Sequence, residues 1–194
     1  MSLQEENNPA YVFKICLIGS GGVGKTCIAQ RLCFDSFNAN TQLTIGIDFY
    51  TYELPILVEG NETFVRLTIW DFGGQEQFKK LFSYYIDGAN GIFLVFDLTN
   101  METLTRLHWW YEQLIIHKLQ ERPKILIGTK LDLIHGSVKK QKVEELIIEK
   151  FLATHNERDY MKTSSKENIN ILHSFKEMIT KILDSHGLDY DKVL

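Results

Sequence analysis

The chemistry of this sequence is concentrated in eight consecutive residues, Gly19-Ser20-Gly21-Gly22-Val23-Gly24-Lys25-Thr26. They fit the phosphate-loop pattern GxxxxGK[ST] in full. Four glycines let the backbone turn its N–H groups inward around a polyphosphate, and the helix that follows adds favourable partial charge. On this reading Gly21, Gly22, Val23, Gly24 and Cys27 belong to the cradle. Lys25 reaches the β- and γ-phosphates, and the Thr26 hydroxyl ligates Mg²⁺. The bland alternative is a glycine-rich turn with an exposed lysine. A second element, Trp70-Asp71-Phe72-Gly73-Gly74-Gln75-Glu76, complements the first. Asp71 can hold Mg²⁺ directly or through water, Gly74 can offer its N–H to a γ-phosphate, and Gln75 can orient an attacking water. Gly21 brings no side chain to crowd Gln75.

These groups need a scaffold, and the chain alternates short β-branched runs with longer helical patterns. Residues 12–18 read as a strand that enters the glycine turn, and residues 25–34 as the helix leaving it. Residues 48–57 and 63–70 flank Glu59-Gly60-Asn61 as a hairpin. Residues 91–96 and 124–127 are almost wholly apolar, as central strands covered on both faces are. Helices are expected at 75–85 (with an irregular start), 103–120, 143–153 and 169–185, and a short strand at 159–161. In the last helix Leu172, Phe175, Ile179 and Ile182 recur at spacings of three and four, predicting one buried stripe. The pattern implies right-handed crossovers. The expected fold is a three-layer α/β/α P-loop NTPase with a six-stranded, mostly parallel sheet and one antiparallel edge strand. The expected division is a flexible N-terminal extension at 1–10, the catalytic domain at 11–185 and a short tail at 186–194.

Composition narrows the class. At 194 residues the chain suits one core. Three Cys and three Pro exclude a disulfide scaffold and a proline-rich disordered chain. A net charge of -4 argues against a nucleic-acid binder. Lys139, Lys140 and Lys142 read as a solvated face. The six His lack metal-ligand spacing, one of Trp109 and Trp110 is expected to pack inward, and Cys16 and Cys27 read as buried thiols. The N-terminus shows neither a signal peptide nor a myristoylation site, so a cytoplasmic location is expected.

With the two phosphate elements in order, the chain resembles the Ras superfamily of small GTPases, the Rab-like branch in particular, from about residue 12 to residue 183. The resemblance implies a GTP-binding switch that hydrolyses GTP to GDP slowly and engages effectors, exchange factors and activating proteins. The rest of the site follows from the resemblance. Thr44, eighteen residues beyond Thr26, matches the threonine that ligates Mg²⁺ and contacts the γ-phosphate in the GTP state. Phe37 matches the aromatic packed on the guanine ring, although a core anchor would be the plain reading. Thr129-Lys130-Leu131-Asp132 looks like the base-reading motif NKxD: Asp132 accepts from the guanine N1 and exocyclic amine, Lys130 covers the base, and Leu133 follows. Ser164, Ser165 and Lys166 resemble the SAK-type loop whose backbone meets O6. Phe49, Trp70 and Tyr85 fall where relatives carry an effector-facing aromatic triad; simple inter-element packing is the other reading.

The chain also departs from that pattern. Thr129 replaces Asn, which puts at risk a bond to the base N7 or a tie to the phosphate loop. Phe72 and Gly73 replace Thr and Ala. The extra glycine is expected to loosen the segment, and Phe72 must find an apolar niche or stay partly exposed. The double glycine also occurs in Arf-like and septation-type GTPases, the latter unlipidated. All three Cys lie before residue 34, so no prenylated terminal cysteine and no intrinsic lipid anchor are expected, and membranes would be reached through a partner. No arginine lies in residues 35–47, so slow intrinsic turnover is implied. Two rivals stand beside this reading: a non-catalytic guanine-nucleotide-binding scaffold, and a P-loop ATPase, which Asp132 disfavours.

Overall fold

The computed structural model of the chain describes residues 8–134 and 143–194. Alternation builds its central strand: in β1 (Tyr11–Ile18), Phe13, Ile15 and Leu17 point to one face and Cys16 and Ile18 to the other. The strand passes through the glycine turn into α1 (Lys25–Phe34), then β2 (Ile47–Val58) and β3 (Asn61–Phe72) form the hairpin. Its two-residue turn, Glu59-Gly60, has φ of 50° and 74°, the mirror-image turn whose twist matches that of paired strands. A 3₁₀ turn (Glu76–Phe78) leads into α2 (Lys79–Tyr85), and β4 (Gly91–Asp97) follows. Then come α3 (Met101–Thr105), α4 (Leu107–Ile116), β5 (Lys124–Thr129), α5 (Glu145–Thr154), β6 (Tyr160–Lys162), α6 (Ile171–His186) and β7 (Lys192–Val193).

The sheet order is β6-β5-β4-β1-β3-β2-β7. β1 pairs in parallel with β3 and β4, and the pairs β4–β5 and β5–β6 are also parallel. The expectation of six strands with one antiparallel edge is therefore corrected: among the described residues the sheet has seven strands, and β2 is antiparallel to both β3 and β7. A two-residue strand carries no readable periodicity. It forms because Gly187 stops α6 in the left-handed region (φ 60°), and Leu188, Tyr190 and Val193 then pack against the core. Ile56 pairs with Val193 and Leu57 with Lys192. The Gly60 N–H donates to Asp191 Oδ2 at 2.7 Å, and the Asp191 N–H to Leu57 O at 2.8 Å.

The apolar interior lies on both faces of the sheet. On one, α1 and α6 cover Phe13, Ile15, Leu17, Phe93 and Val95. On the other, α2 to α5 cover Cys16, Ile18, Ile92, Leu94, Phe96 and Leu126. Burial pushes the Cys16 thiol up to about 12, which leaves it unreactive. Two further expectations are corrected. The stripe on α6 contains Ile171 in place of Leu172, which is 39% exposed. The helix begins at Ile171, after Asn170 in the left-handed region, and 171, 175, 179 and 182 then share a face. The helix expected at 103–120 is two helices meeting at Arg106, the first capped by Asn100, whose side chain accepts from the Glu102 N–H at 3.0 Å. Trp110 is buried, as one of the pair should be. His108 and His155, distant in sequence, share a hydrogen bond of 2.8 Å between α4 and the end of α5, with Tyr111 stacked on His155 at 3.8 Å. No described group of three or more His, Cys, Asp or Glu is placed to hold a metal.

Of the proposed N-terminal extension, residues 1–7 lie outside the described residues; Ala10 donates to Phe64 O at 2.9 Å. Lys139, Lys140 and Lys142 also lie outside them. No described helix is long and apolar enough to cross a membrane.

Candidate functional site

The loop between β1 and α1 forms one wall of a cavity of about 400 Å³ at the C-terminal ends of the parallel strands. Val23 is buried in the core and anchors the loop, while Gly21, Gly22, Gly24, Lys25, Thr26 and Cys27 line the cavity. Lys25 is 5% exposed. Its ammonium donates to Gly19 O at 2.9 Å and Ser20 O at 2.8 Å. Burial lowers its pKa to about 8, against the opposing charge of Asp71. A cation held by weak neutral acceptors at a cavity wall is ready to exchange them for anionic ones.

Beneath Lys25, three oxygen-bearing side chains converge. Thr26 Oγ1 donates to Asp71 Oδ2 at 2.5 Å and lies 2.9 Å from Thr44 Oγ1, which is 3.3 Å from the same carboxylate oxygen. Asp71 is fully buried, and its Oδ1 has no hydrogen-bond partner. Burial raises its pKa, with Lys25 pulling the other way. A buried carboxylate with one orphaned oxygen and two hydroxyls beside it is an oxygen-only donor set, which fits a small hard divalent cation such as Mg²⁺.

The Gly73-Gly74-Gln75 segment closes this end. A Cβ on Gly74 would come within 2.3 Å of Gly19 O and Gly21 N, so only glycine lets the segment lie against the phosphate loop. A Cβ on Gly73 would meet Thr44 O at 2.7 Å and Gly46 O at 2.9 Å, and the Gly73 N–H donates to Gly46 O at 2.8 Å. The extra glycine thus fits between two carbonyls of the neighbouring segment, where a side chain would not. Phe72 has its apolar niche: it is 2% exposed and packs on Phe82 at 5.6 Å. Gln75 lines the cavity, with its Oε1 accepting from Gln77 Nε2 at 3.1 Å, and its Cγ would lie 3.7 Å from a Cβ on Gly21.

Phe37, Thr129, Lys130, Asp132, Leu133, Ser165 and Lys166 line the opposite end. Ser164 does not; it stands behind Asp132 and donates to Asp132 Oδ1 at 2.7 Å. Thr129 makes the tie to the phosphate loop that its identity put at risk, because its hydroxyl lies 2.6 Å from Val23 O. Lys130, in the left-handed region at φ 61°, donates to Gly22 O at 3.0 Å and pairs with Asp97 Oδ2 at 2.7 Å.

Asp97 was missed in the sequence. It is buried at the end of β4, with its other oxygen accepting from the Thr99 N–H at 2.8 Å and hydroxyl at 2.7 Å. A carboxylate ending an apolar parallel strand was the available signal. Arg31 was missed too. From α1 it donates to Ser165 O at 2.7 Å and Lys166 O at 3.3 Å, bracing the loop beside Asp132. Asn38, Thr41, Gln42 and Leu43 also line the cavity, and a polar loop gives no pattern to single them out.

Outside the cavity, the three aromatics assemble. Phe49 meets Trp70 edge-on at 4.6 Å and Trp70 meets Tyr85 at 6.1 Å; Phe49 is 61% exposed. The Lys14 ammonium lies 3.7 Å from the centre of the Trp70 ring and donates to Tyr85 O and Asp87 O at the end of α2. The set is thus both packed and exposed.

Comparison with known proteins supplies the context for this geometry. The model of the Ras family matches residues 14–184. The chain is similar to the Ras-related protein RABA5c of Arabidopsis thaliana, 36% identical over 182 residues that cover 94% of this chain and 81% of that one. It is similar to the GTP-binding protein ypt1 of Schizosaccharomyces pombe, at 33% over 179 residues (91% and 83%). It is also similar to the Ras-related protein Rab-8A of Bos taurus, at 36% over 166 residues (85% and 75%).

Proposed function

We infer how the cavity works from one premise: the chain belongs to the Ras family, on the Rab-like branch of the small GTPases. It is a GTP-binding switch and a GTP-hydrolysing enzyme. The observation that carries the residue assignments is the layout of the cavity, with the glycine loop and the buried Lys25 at one end and Asp132, beside Lys130 and Lys166, at the other.

We propose that the triphosphate lies along residues 21–26, with Lys25 leaving the carbonyls of Gly19 and Ser20 for the β- and γ-phosphate oxygens. Thr26, Thr44 and Asp71 hold Mg²⁺, which supplies charge neutralisation for the phosphates. Asp132, fixed by Ser164, accepts from the N1 and exocyclic amine of guanine. Adenine presents no such donor pair, so a charged acceptor there rejects ATP. The base lies between Phe37 and the Lys130 stem, with the backbone of Ser165 at O6. Gln75 orients the attacking water and the Gly74 N–H meets the γ-phosphate. Charge on the phosphoryl oxygens is stabilised by Lys25 and by backbone N–H groups already in place. Thr44 and Gly74 belong to segments joined through Gly46 and Gly73, and loss of the γ-phosphate releases both. The Phe49, Trp70 and Tyr85 face then presents the nucleotide state to effectors, with exchange factors and activating proteins resetting it, and a partner supplies any membrane recruitment.

Single-turnover GTP hydrolysis by the full chain tests the assignments. Gln75→Leu should slow hydrolysis at least tenfold (about 1.4 kcal/mol of barrier) with GTP still bound. An unchanged rate would remove Gln75 from the mechanism. In thermal-shift measurements GDP and GTPγS should raise the midpoint only with Mg²⁺ present, and ATP should not.

A further inference from the structure

Thr129 ends β5 and lines the cavity between Asp132 and the phosphate loop. Its side-chain carbons and Oγ1 would each lie 3.9 Å from a Cβ on Gly24, so it reaches the loop itself. The hydroxyl is 2.6 Å from Val23 O and 2.9 Å from Phe96 O. A hydroxyl carries one proton. Both neighbours are carbonyl oxygens, so that proton is committed to one or the other. Only lone-pair density is left for anything in the cavity. The arrangement also resists rearrangement: turning the hydroxyl toward a ligand would give up its 2.6 Å bond to Val23 O at a residue only 3% exposed.

A purine whose pyrimidine edge sits on Asp132 points its imidazole edge away from that carboxylate, toward residue 129 and the phosphate loop. N7 on that edge is an acceptor and needs a donor. Thr129, which lines that stretch of the cavity, has none to give. We propose that Thr129 is a strut between the base end and the phosphate end of the cavity, and that it leaves N7 of the guanine unread. Nucleotides of 7-deazaguanine, in which a C–H group replaces N7, are therefore bound as tightly as those of guanine. This inference rests on the guanine-nucleotide reading of the cavity.

The test is competition of GDP, 7-deaza-GDP and ADP against a fluorescent GDP analogue on the full chain. GDP and 7-deaza-GDP should displace it at concentrations within about twofold of each other. Thr129→Asn restores an N–H donor and should favour GDP over 7-deaza-GDP by about five- to tenfold, one neutral hydrogen bond. Thr129→Val removes the strut but no base contact, and should weaken both nucleotides equally. A fivefold or greater preference of the unmodified chain for GDP over 7-deaza-GDP would overturn the inference while leaving the guanine reading intact. Failure of GDP to outcompete ADP would overturn the guanine reading itself.

Discussion

Single residues set the pH and kinetic behaviour of the site. Lys25 titrates near 8 in the free protein because burial disfavours its charge, whereas in an unfolded chain it would titrate near 10.4. Between those values the unfolded chain holds the extra proton, so this burial costs the folded protein stability below pH 8 and the cost fades as pH rises to the unfolded value. The phosphate contact proposed for Lys25 needs the charged form, so the sign for affinity is opposite. GDP affinity should fall roughly fourfold between pH 7 and pH 8.5, in proportion to the protonated fraction, and Lys25→Arg should flatten that profile. A flat profile in the unmodified chain would show that Lys25 stays charged. Asp97 acts one step further out, through Lys130. Asp97→Asn leaves the ammonium with a neutral partner and should speed GDP release about tenfold, the value of a weakened charge-assisted bond; an unchanged release rate would make the pair structural only. That Lys25, Thr26 and Asp132 line one cavity was legible in the sequence because each sits in a contiguous motif. Asp97 and Arg31 were not, because their partners lie 33 and 134 residues away and the meeting exists only in the fold.

Elements explain what periodicity captured and what it lost. β1, β4 and β5 were readable because burial on both faces demands near-continuous apolar runs. The start of α3 and the phase of α6 were set at single residues, the Asn100 cap and Asn170 in the left-handed region, which a window of a dozen residues averages away. The packing of α4 on α5 likewise joins residues far apart in sequence, with His108 and Tyr111 of α4 set against Phe151 and His155. Burial, reinforced by the neighbouring His108, holds the His155 pKa down to about 4. A histidine depressed below its unfolded value of about 6.5 favours folding while neutral, so its contribution is present above that value and is lost as pH falls toward 4. His155→Phe keeps the ring against Tyr111 and removes the titration. Its thermal midpoint should drop less than that of the unmodified chain between pH 7 and pH 5. Parallel losses in the two proteins would show that the pair does not govern acid sensitivity.

For the whole molecule, the arrangement separates stability from chemistry along β2. Its first residue pairs with Phe72 beside Asp71, and its far end carries β7. At about 3.4 Å per residue these ends are roughly 30 Å apart. Removal of residues 188–194 strips Leu188, Tyr190 and Val193 from the core and the Asp191 carboxylate from the hairpin turn. The midpoint should fall by about 4–8 °C, a loss on the order of 2 kcal/mol, while GDP affinity stays within about twofold. A change in affinity with the midpoint unmoved would tie the tail to the site. Trp70 gives the same molecule an optical property. Its indole lies under a lysine ammonium, edge-on to Phe49 and beside Tyr85 at the end of α2, while Trp109 and Trp110 are held on α4 against Phe82. All three indoles therefore touch α2, the helix that follows Gln75, Trp70 at its end and the other two at Phe82, so a movement of that helix on exchange of one nucleotide for another should be followed by light without attaching a dye.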